Sequence, residues 1–214
     1  WVVGKSVPIH VAPNCINYDA WKIDKRERQE SEFVRVGYVG GSLHDEDILI
    51  IYKAMLPILK EESLVRLIIR SGALRPDFLK DHPQIDFKTV SWNIDEYPQK
   101  LYDLDIDLAL APLRDTNFNR CKSAIKWLEW ASLDVPVIAS DIVTYHGIRK
   151  IKLVSNEPEK WTEAIGHHIE TQCLNVDSLT DDMEVRDRGL STYSKQKFNI
   201  KRECKKLLRF FDSL

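Results

Sequence analysis

Residues Asp107 to Asp141 read DLALAPLRDTNFNRCKSAIKWLEWASLDVPVIASD, and this stretch decides the fold. Ile106 to Ala111 and Val135 to Ala139 are short, almost wholly apolar runs, as expected of strands covered on both faces in a parallel sheet. The residues between them suffice for a polar loop and one crossover helix, so the predicted unit is strand, helix, strand. In such sheets the ligand crevice lies beyond the carboxyl ends of the strands. The loop Pro112 to Lys122 is therefore expected to line it.

The helix after that loop is expected to carry Lys122, Ser123, Lys126 and Glu129. Two starts fit, one capped by Asn119 and one by Ser123. Both place free backbone N–H groups beside Lys122 and Ser123, and a helix amino end flanked by lysines attracts phosphate. Lys122, Lys126 and Glu129 stand at i, i+4 and i+7, on one face. The same spacing describes a solvated lysine–glutamate stripe. Pattern alone leaves both readings open.

Outward from this unit, Phe33 to Val39 is a β-rich run ending in Gly40, Gly41 and Ser42, and a helical pattern follows from Asp45 to Lys60. Strand, diglycine turn and helix open many nucleotide-binding units. GGSLHD is neither GxGxxG nor a P-loop, so a tight turn without a ligand reads equally well. Val65 to Ile69 is another strand, with Arg70, Ser71 and Gly72 at its end. Arg70 would either grip phosphate bidentately or pair with a neighbouring carboxylate. Ile85 to Val90 is a further strand, and Trp92 just past it is a core residue or a platform for a base.

Asp95 to Leu104 and Glu157 to Gln172 read as helices, the latter with Trp161, Ala164, Ile165 and Ile169 inward; Leu174 to Tyr193 reads as another. His167 and His168 are adjacent, point to different sides of their helix and make a poor metal pair. In the last stretch Ile200, Cys204, Leu207, Leu208 and Phe211 form an apolar stripe opposite a lysine- and arginine-rich face. Strands and helices alternate from Phe33 to Gln172. The predicted class is α/β, a Rossmann-like, mainly parallel sheet with helices on both faces.

With 43% hydrophobic and 30% charged residues, the 214-residue chain has the makings of an ordinary packed core. A net charge of −2 provides no global basic field for nucleic acid, so any anion site must be local. Cys15, Cys121, Cys173 and Cys204 are far apart and show no CxxC spacing, which argues against a zinc site and a disulfide scaffold and for a reduced, cytoplasmic setting. Val7 to Ala12 reads as a strand closed by Pro13 and Asn14, and Lys22 to Ser31 as a solvated linker.

The segment NRCKSAIKWLEWASLDVPVIASD resembles the donor-binding segment of the GT-B glycosyltransferases, in the group 1 (GT4-like) branch used in surface-polysaccharide synthesis. That branch shows a glutamate, Gly-Phe-Gly, a Leu-Glu-Ala-Met-Ala helix, a Gly-x-Pro turn and an apolar strand. Glu129 matches the second glutamate, which in the family bonds the ribose, and Pro136 to Ser140 match the strand. Cys121 takes the place of the first glutamate, and Lys122 and Ser123 replace the glycine and aromatic. A subgroup with Phe-Asn-x-Cys-Lys-Ser followed by Lys-x-Leu-Glu is more similar, with its lysine and serine on the diphosphate. VAPNCINYDAW is similar to the family's Val-x-Pro-Asn-Gly-Val-Asp, and EYPQKLYDLDIDLALAPL to its Tyr-Pro-x-x-Leu, Asp-Ile-x-Leu-Ala-Pro-Leu segment. His44, with Asp45 and Asp47, stands where relatives carry His-x-x-Asp.

The resemblance implies three parts: the end of an N-terminal domain and a crossover (1–22), a nucleotide-sugar-binding domain (32–193) and a closing amphipathic helix (194–214). It implies transfer of a sugar from a nucleotide-diphosphate sugar to an acceptor hydroxyl, with retention, in surface polysaccharide or glycoconjugate synthesis. Gly40, Gly41, Arg70, Lys122, Ser123 and Lys126 would hold the donor diphosphate, Glu129 the ribose and Trp92 the base. No cofactor and no metal are expected, and catalytic residues stay unassigned. The partners implied are a nucleotide sugar, an acceptor glycan, lipid or protein, and an N-terminal acceptor domain. Two alternatives stand beside this: a non-catalytic nucleotide-binding or interaction domain, and a nucleotide-sugar epimerase. The basic, amphipathic last helix suits either a domain junction or the inner face of an anionic membrane.

Overall fold

The computed structural model describes residues 8–26, 31–41, 45–79, 81–173 and 189–213. Among them runs a six-stranded, all-parallel sheet: β1 (Val34–Gly40), β2 (Val65–Ser71), β3 (Ile85–Thr89), β4 (Leu108–Ala111), β5 (Val137–Ser140) and β6 (Lys152–Val154). Their order across the sheet is β3-β2-β1-β4-β5-β6. The strand order therefore reverses between β1 and β4.

Alternation along each strand builds two cores. Val36 and Tyr38, Leu108 and Leu110, and Ile138 face α1 (Asp45–Glu61) and α5 (Pro158–His168), where Ile48, Ile51, Met55, Trp161 and Ile165 are buried. Val39, Ala109, Ala111, Val137 and Ala139 face the other way, toward α4 (Ile125–Ser132), whose Trp127 and Trp130 fill that side. Both tryptophans are at most 2% exposed, so truncating either to alanine would cost about 3–5 kcal/mol. This packing fixes α4 against the sheet. A side chain at position 37 would force the Ile106 side chain to move, because a Cβ would lie 2.7 Å from it.

Several local expectations are corrected. Residues 8–12 are irregular rather than a strand: Pro8 and Pro13 bracket them, and no described strand lies alongside. The segment is held instead through His10 Nε2, 3.1 Å from Glu203 Oε1. The helix expected from Asp95 starts only at α2 (Tyr97–Tyr102), where Pro98 occupies the first turn. Of Leu174 to Tyr193, most lies outside the described residues; the helix there, α6, spans Leu190–Lys197 and follows Gly189 at φ 128°. α5 continues as a π-helical turn, Ile169–Cys173, and β6 was not foreseen.

The last helix, α7 (Ile200–Asp212), turns buried Glu203 toward the protein and leaves Leu208 and Phe211 outward, 62% and 58% exposed. No described helix is long and apolar enough to cross a membrane.

Candidate functional site

The reversal between β1 and β4 opens a crevice at the carboxyl edge of the sheet, the place where ligands enter doubly wound folds. One wall is the loop after β4, and a ring of hydrogen bonds holds it. Leu113 N donates to Ser140 Oγ (2.8 Å), Ser140 Oγ to Asn156 Oδ1 (2.7 Å), and Asn156 Nδ2 to the Leu113 carbonyl (2.9 Å). Further along, Asn119 Nδ2 donates to the Arg114 carbonyl, and Thr144 Oγ1 to the Asn119 carbonyl. The loop is thereby set in place before any ligand arrives.

Neither expected cap starts α4. Thr116 caps a separate short helix, α3 (Asn117–Arg120), its hydroxyl accepting from Asn119 N at 3.1 Å, and the chain turns again over Cys121–Ala124. Ala124 precedes α4 without a side-chain cap, and Ser123 Oγ accepts from Asn14 Nδ2 at 2.6 Å. Among the described residues, nothing accepts from the N–H groups of Ser123 and Ala124. Lys122 Nζ lies 4.8 Å from the Phe118 ring centre, and no described carboxylate pairs with it. An uncapped helix end with an unpaired ammonium beside it is an anion site in electrostatic terms.

One turn inward, Lys126 Nζ donates to Tyr38 Oη at 2.9 Å. Burial pulls its pKa down to about 8, aided by the Lys122 charge and opposed by Asp47 and Glu129. Gly40 makes this contact possible, since a Cβ there would come within 2.3 Å of the Tyr38 hydroxyl. Buried Asp47 ties α1 to the β4 loop by accepting from Arg114 N at 2.9 Å.

Glu129 sits one turn beyond Lys126, half-buried, and its Oε2 accepts from Tyr97 Oη at 2.8 Å. Burial pushes its carboxyl up to about 7, against the Tyr97 hydrogen bond and the Lys126 charge. Tyr97 in turn packs against Trp92 (ring centres 5.8 Å apart) and Trp21 (6.1 Å). Trp92 and Glu129 are thus joined through Tyr97, which the sequence had not singled out.

The structure connects Gly40, Lys122, Ser123, Lys126, Glu129 and Trp92, and engages Arg70 elsewhere. Gly41 follows Gly40 at the same edge of the sheet and is exposed, with open space where a side chain would stand. Arg70, 7% exposed, donates to Asp86 Oδ2 (2.6 Å) and to the Ile69 and Asp86 carbonyls; of its two readings, pairing with a carboxylate is the observed one. The first turn of α1 carries Asp45, Glu46 and Asp47, so the glycine-turn side of the crevice is acidic and the basic side is that of α4. His44 lies outside the described residues. Tyr38 and Tyr97 gave no linear signal, one reading as a strand core residue and the other as a helix start.

No protein-family profile and no curated protein matches the sequence. Solved structures do match in shape. The C-terminal domain of a group 1 glycosyl transferase family protein from Francisella tularensis aligns at TM-score 0.63 and 14% identity, over 86% of this chain and 99% of that one. A glycosyltransferase from Rickettsia africae aligns at TM-score 0.67 and 14% identity, over 95% of this chain and 56% of that one. A putative UDP-N-acetylglucosamine 2-epimerase from Listeria monocytogenes aligns at TM-score 0.52 and 12% identity, over 89% and 49%. The chain thus spans the whole of one neighbour and about half the length of the other two. At these identities the likeness speaks for architecture: the chain has the fold of the C-terminal domain of a GT-B glycosyltransferase.

Proposed function

We propose that this chain is the donor-binding domain of a glycosyltransferase that moves a sugar from a nucleotide-diphosphate sugar to an acceptor hydroxyl in glycan or glycoconjugate synthesis. The carrying observation is the amino end of α4: free N–H groups at Ser123 and Ala124, Lys122 and Lys126 beside them, and Glu129 further along the same helix. About 6 Å of helix rise separates Ile125 from Glu129, a span that suits a pyrophosphate and the pentose attached to it. Lys122 and Lys126 would neutralise the charge that develops on the departing diphosphate. Glu129 would accept from the ribose hydroxyls and Trp92 would flank the base. The acceptor side of the cleft would come from a second, N-terminal domain, and this chain alone is expected to bind donor without turnover.

Calorimetric titration with UDP, GDP and inorganic pyrophosphate tests this reading. A nucleoside diphosphate is expected to bind more tightly than pyrophosphate, and both more weakly as salt rises. No heat and no thermal shift with any nucleoside diphosphate at millimolar concentration would refute it. The epimerase-like neighbour supports a second reading, isomerisation of a nucleotide sugar. Product analysis separates the two, because an isomerised sugar formed without an acceptor would favour the epimerase.

A further inference from the structure

Lys122 stands on the divide between two cavities. On one side is the crevice between α1 and the β4 loop, of about 370 Å³. On the other is a groove of about 600 Å³, within the size range of small-molecule sites. Pro13, Asn14, the amino end of α4, the turn at Gly147, the end of α6 and the middle of α7 bound it. The whole chain has 33 acidic and 31 basic residues, yet among the described residues this groove is lined by Lys122, Lys197, Lys206 and His146 and by no aspartate or glutamate.

Two of these side chains already have partners outside the groove. Lys206 Nζ donates to Glu203 Oε2 at 2.7 Å, and His146 Nε2 lies 2.8 Å from Asp141 Oδ1. Lys197 and Lys122 do not. Among the described residues Lys197 Nζ reaches only neutral acceptors, the Gly147 carbonyl and Tyr193 Oη, each at 3.3 Å, and lies 5.5 Å from the Phe198 ring centre. No described carboxylate pairs with either. The remaining lining is largely apolar, with Trp127, Ile148 and Phe198, and concentrates the field of the ammonium groups. Uncompensated like charges converging on one cavity are completed by a negative ligand.

We propose that this groove binds a phosphate-bearing group of the acceptor, next to the donor diphosphate and across Lys122 from it. The inference rests on the glycosyltransferase reading and names its acceptor class. The two anions then share Lys122 and the amino end of α4, which lines the groove through Ser123 and Ala124, while Lys197 serves the acceptor alone and Lys206 is divided between it and Glu203.

The test uses the whole chain and glycerol 3-phosphate as probe, titrated by calorimetry with and without saturating UDP; galacturonate is the carboxylate arm. Glycerol 3-phosphate is expected to bind in both conditions, and galacturonate less tightly. In Lys197→Ala its dissociation constant should rise about fivefold, the scale of one solvent-accessible charge pair, and in Lys197→Glu binding should vanish while UDP affinity holds. Circular dichroism verifies that each variant is folded. Glycerol 3-phosphate that binds only in competition with UDP, that is unaffected by Lys197→Ala, or that binds less tightly than galacturonate overturns the proposal. Absence of UDP binding with glycerol 3-phosphate binding intact would instead overturn the donor reading.

Discussion

The two ends of the sheet hold cavities of similar size and opposite charge. At the amino edge, about 510 Å³ is lined by Asp103, Asp105, Asp107, Asp134 and Arg26. At the carboxyl edge, about 600 Å³ is lined by lysines and a histidine. Charge alone would mark both as sites, and partnering tells them apart. Asp105 receives Arg35 Nη1 at 2.7 Å, Asp107 receives Arg35 N at 2.7 Å, Asp134 receives Ser191 N and Oγ, and Asp103 faces Arg26. The amino-edge carboxylates are spent on holding loops and the start of α6. Among the described residues, Lys122 and Lys197 hold nothing charged.

The largest expected effect falls on the carboxyl edge. Lys122→Glu should lower nucleoside diphosphate affinity about 100-fold, from the loss of a charge-assisted contact plus new repulsion. Calorimetry checks this, and a loss below twofold would return Lys122 to the solvated stripe. Glu129→Ala should weaken a nucleoside diphosphate about tenfold and leave pyrophosphate unchanged; equal losses would remove the ribose assignment.

Next in size is a pH dependence. Glu129, raised to about 7 in the folded chain, binds its proton more tightly than when unfolded, so its contribution to stability is present below its ordinary value of 4.5 and lost as pH rises through about 7. Melting temperatures of wild type and Glu129→Gln should therefore diverge between pH 4.5 and 7, with the wild type falling. A parallel pair of curves would show that the carboxyl is not desolvated. Lys126 loses its proton near 8 and Glu129 gains its charge near 7, so UDP affinity should peak between these values. A profile flat from pH 6 to 9 would detach both residues from the ligand.

The smallest effect belongs to the amino edge. Asp134→Ala should cost about 1 kcal/mol of stability through the lost Ser191 hydrogen bonds, read by denaturant melts. It should leave nucleotide binding untouched, and a change in binding would break the distinction between the edges.

How much of this was legible in the sequence follows from the range of each interaction. Buried apolar runs such as Ile106 to Ala111 announce strands by themselves, so the class and most elements could be read directly. The three residues of β6 are too few to carry a pattern. The start of α4 depended on competition: Thr116 captured Asn119, and Asn14, over a hundred residues away, engaged Ser123. Arg70 meets Asp86 because parallel register sets Ile68 beside Asp86, and register is absent from spacing within one strand. The stripe on α7 had the right period, but period does not say which face is covered. Leu208 and Phe211 are outward.

The Tyr38 hydroxyl fills the space that any side chain at position 40 would need. These two positions are therefore a single heritable unit. A methyl group at 40 would also lie 2.7 Å from the ring carbon that bears this oxygen, so it becomes tolerable only once the ring at 38 is replaced or displaced, and the ammonium that rests on the phenol would then be released into the crevice. Relatives that carry alanine at the end of this strand should have a smaller side chain in place of the tyrosine two residues before it, and a lineage could exchange one arrangement for the other only by giving up the ring before the glycine.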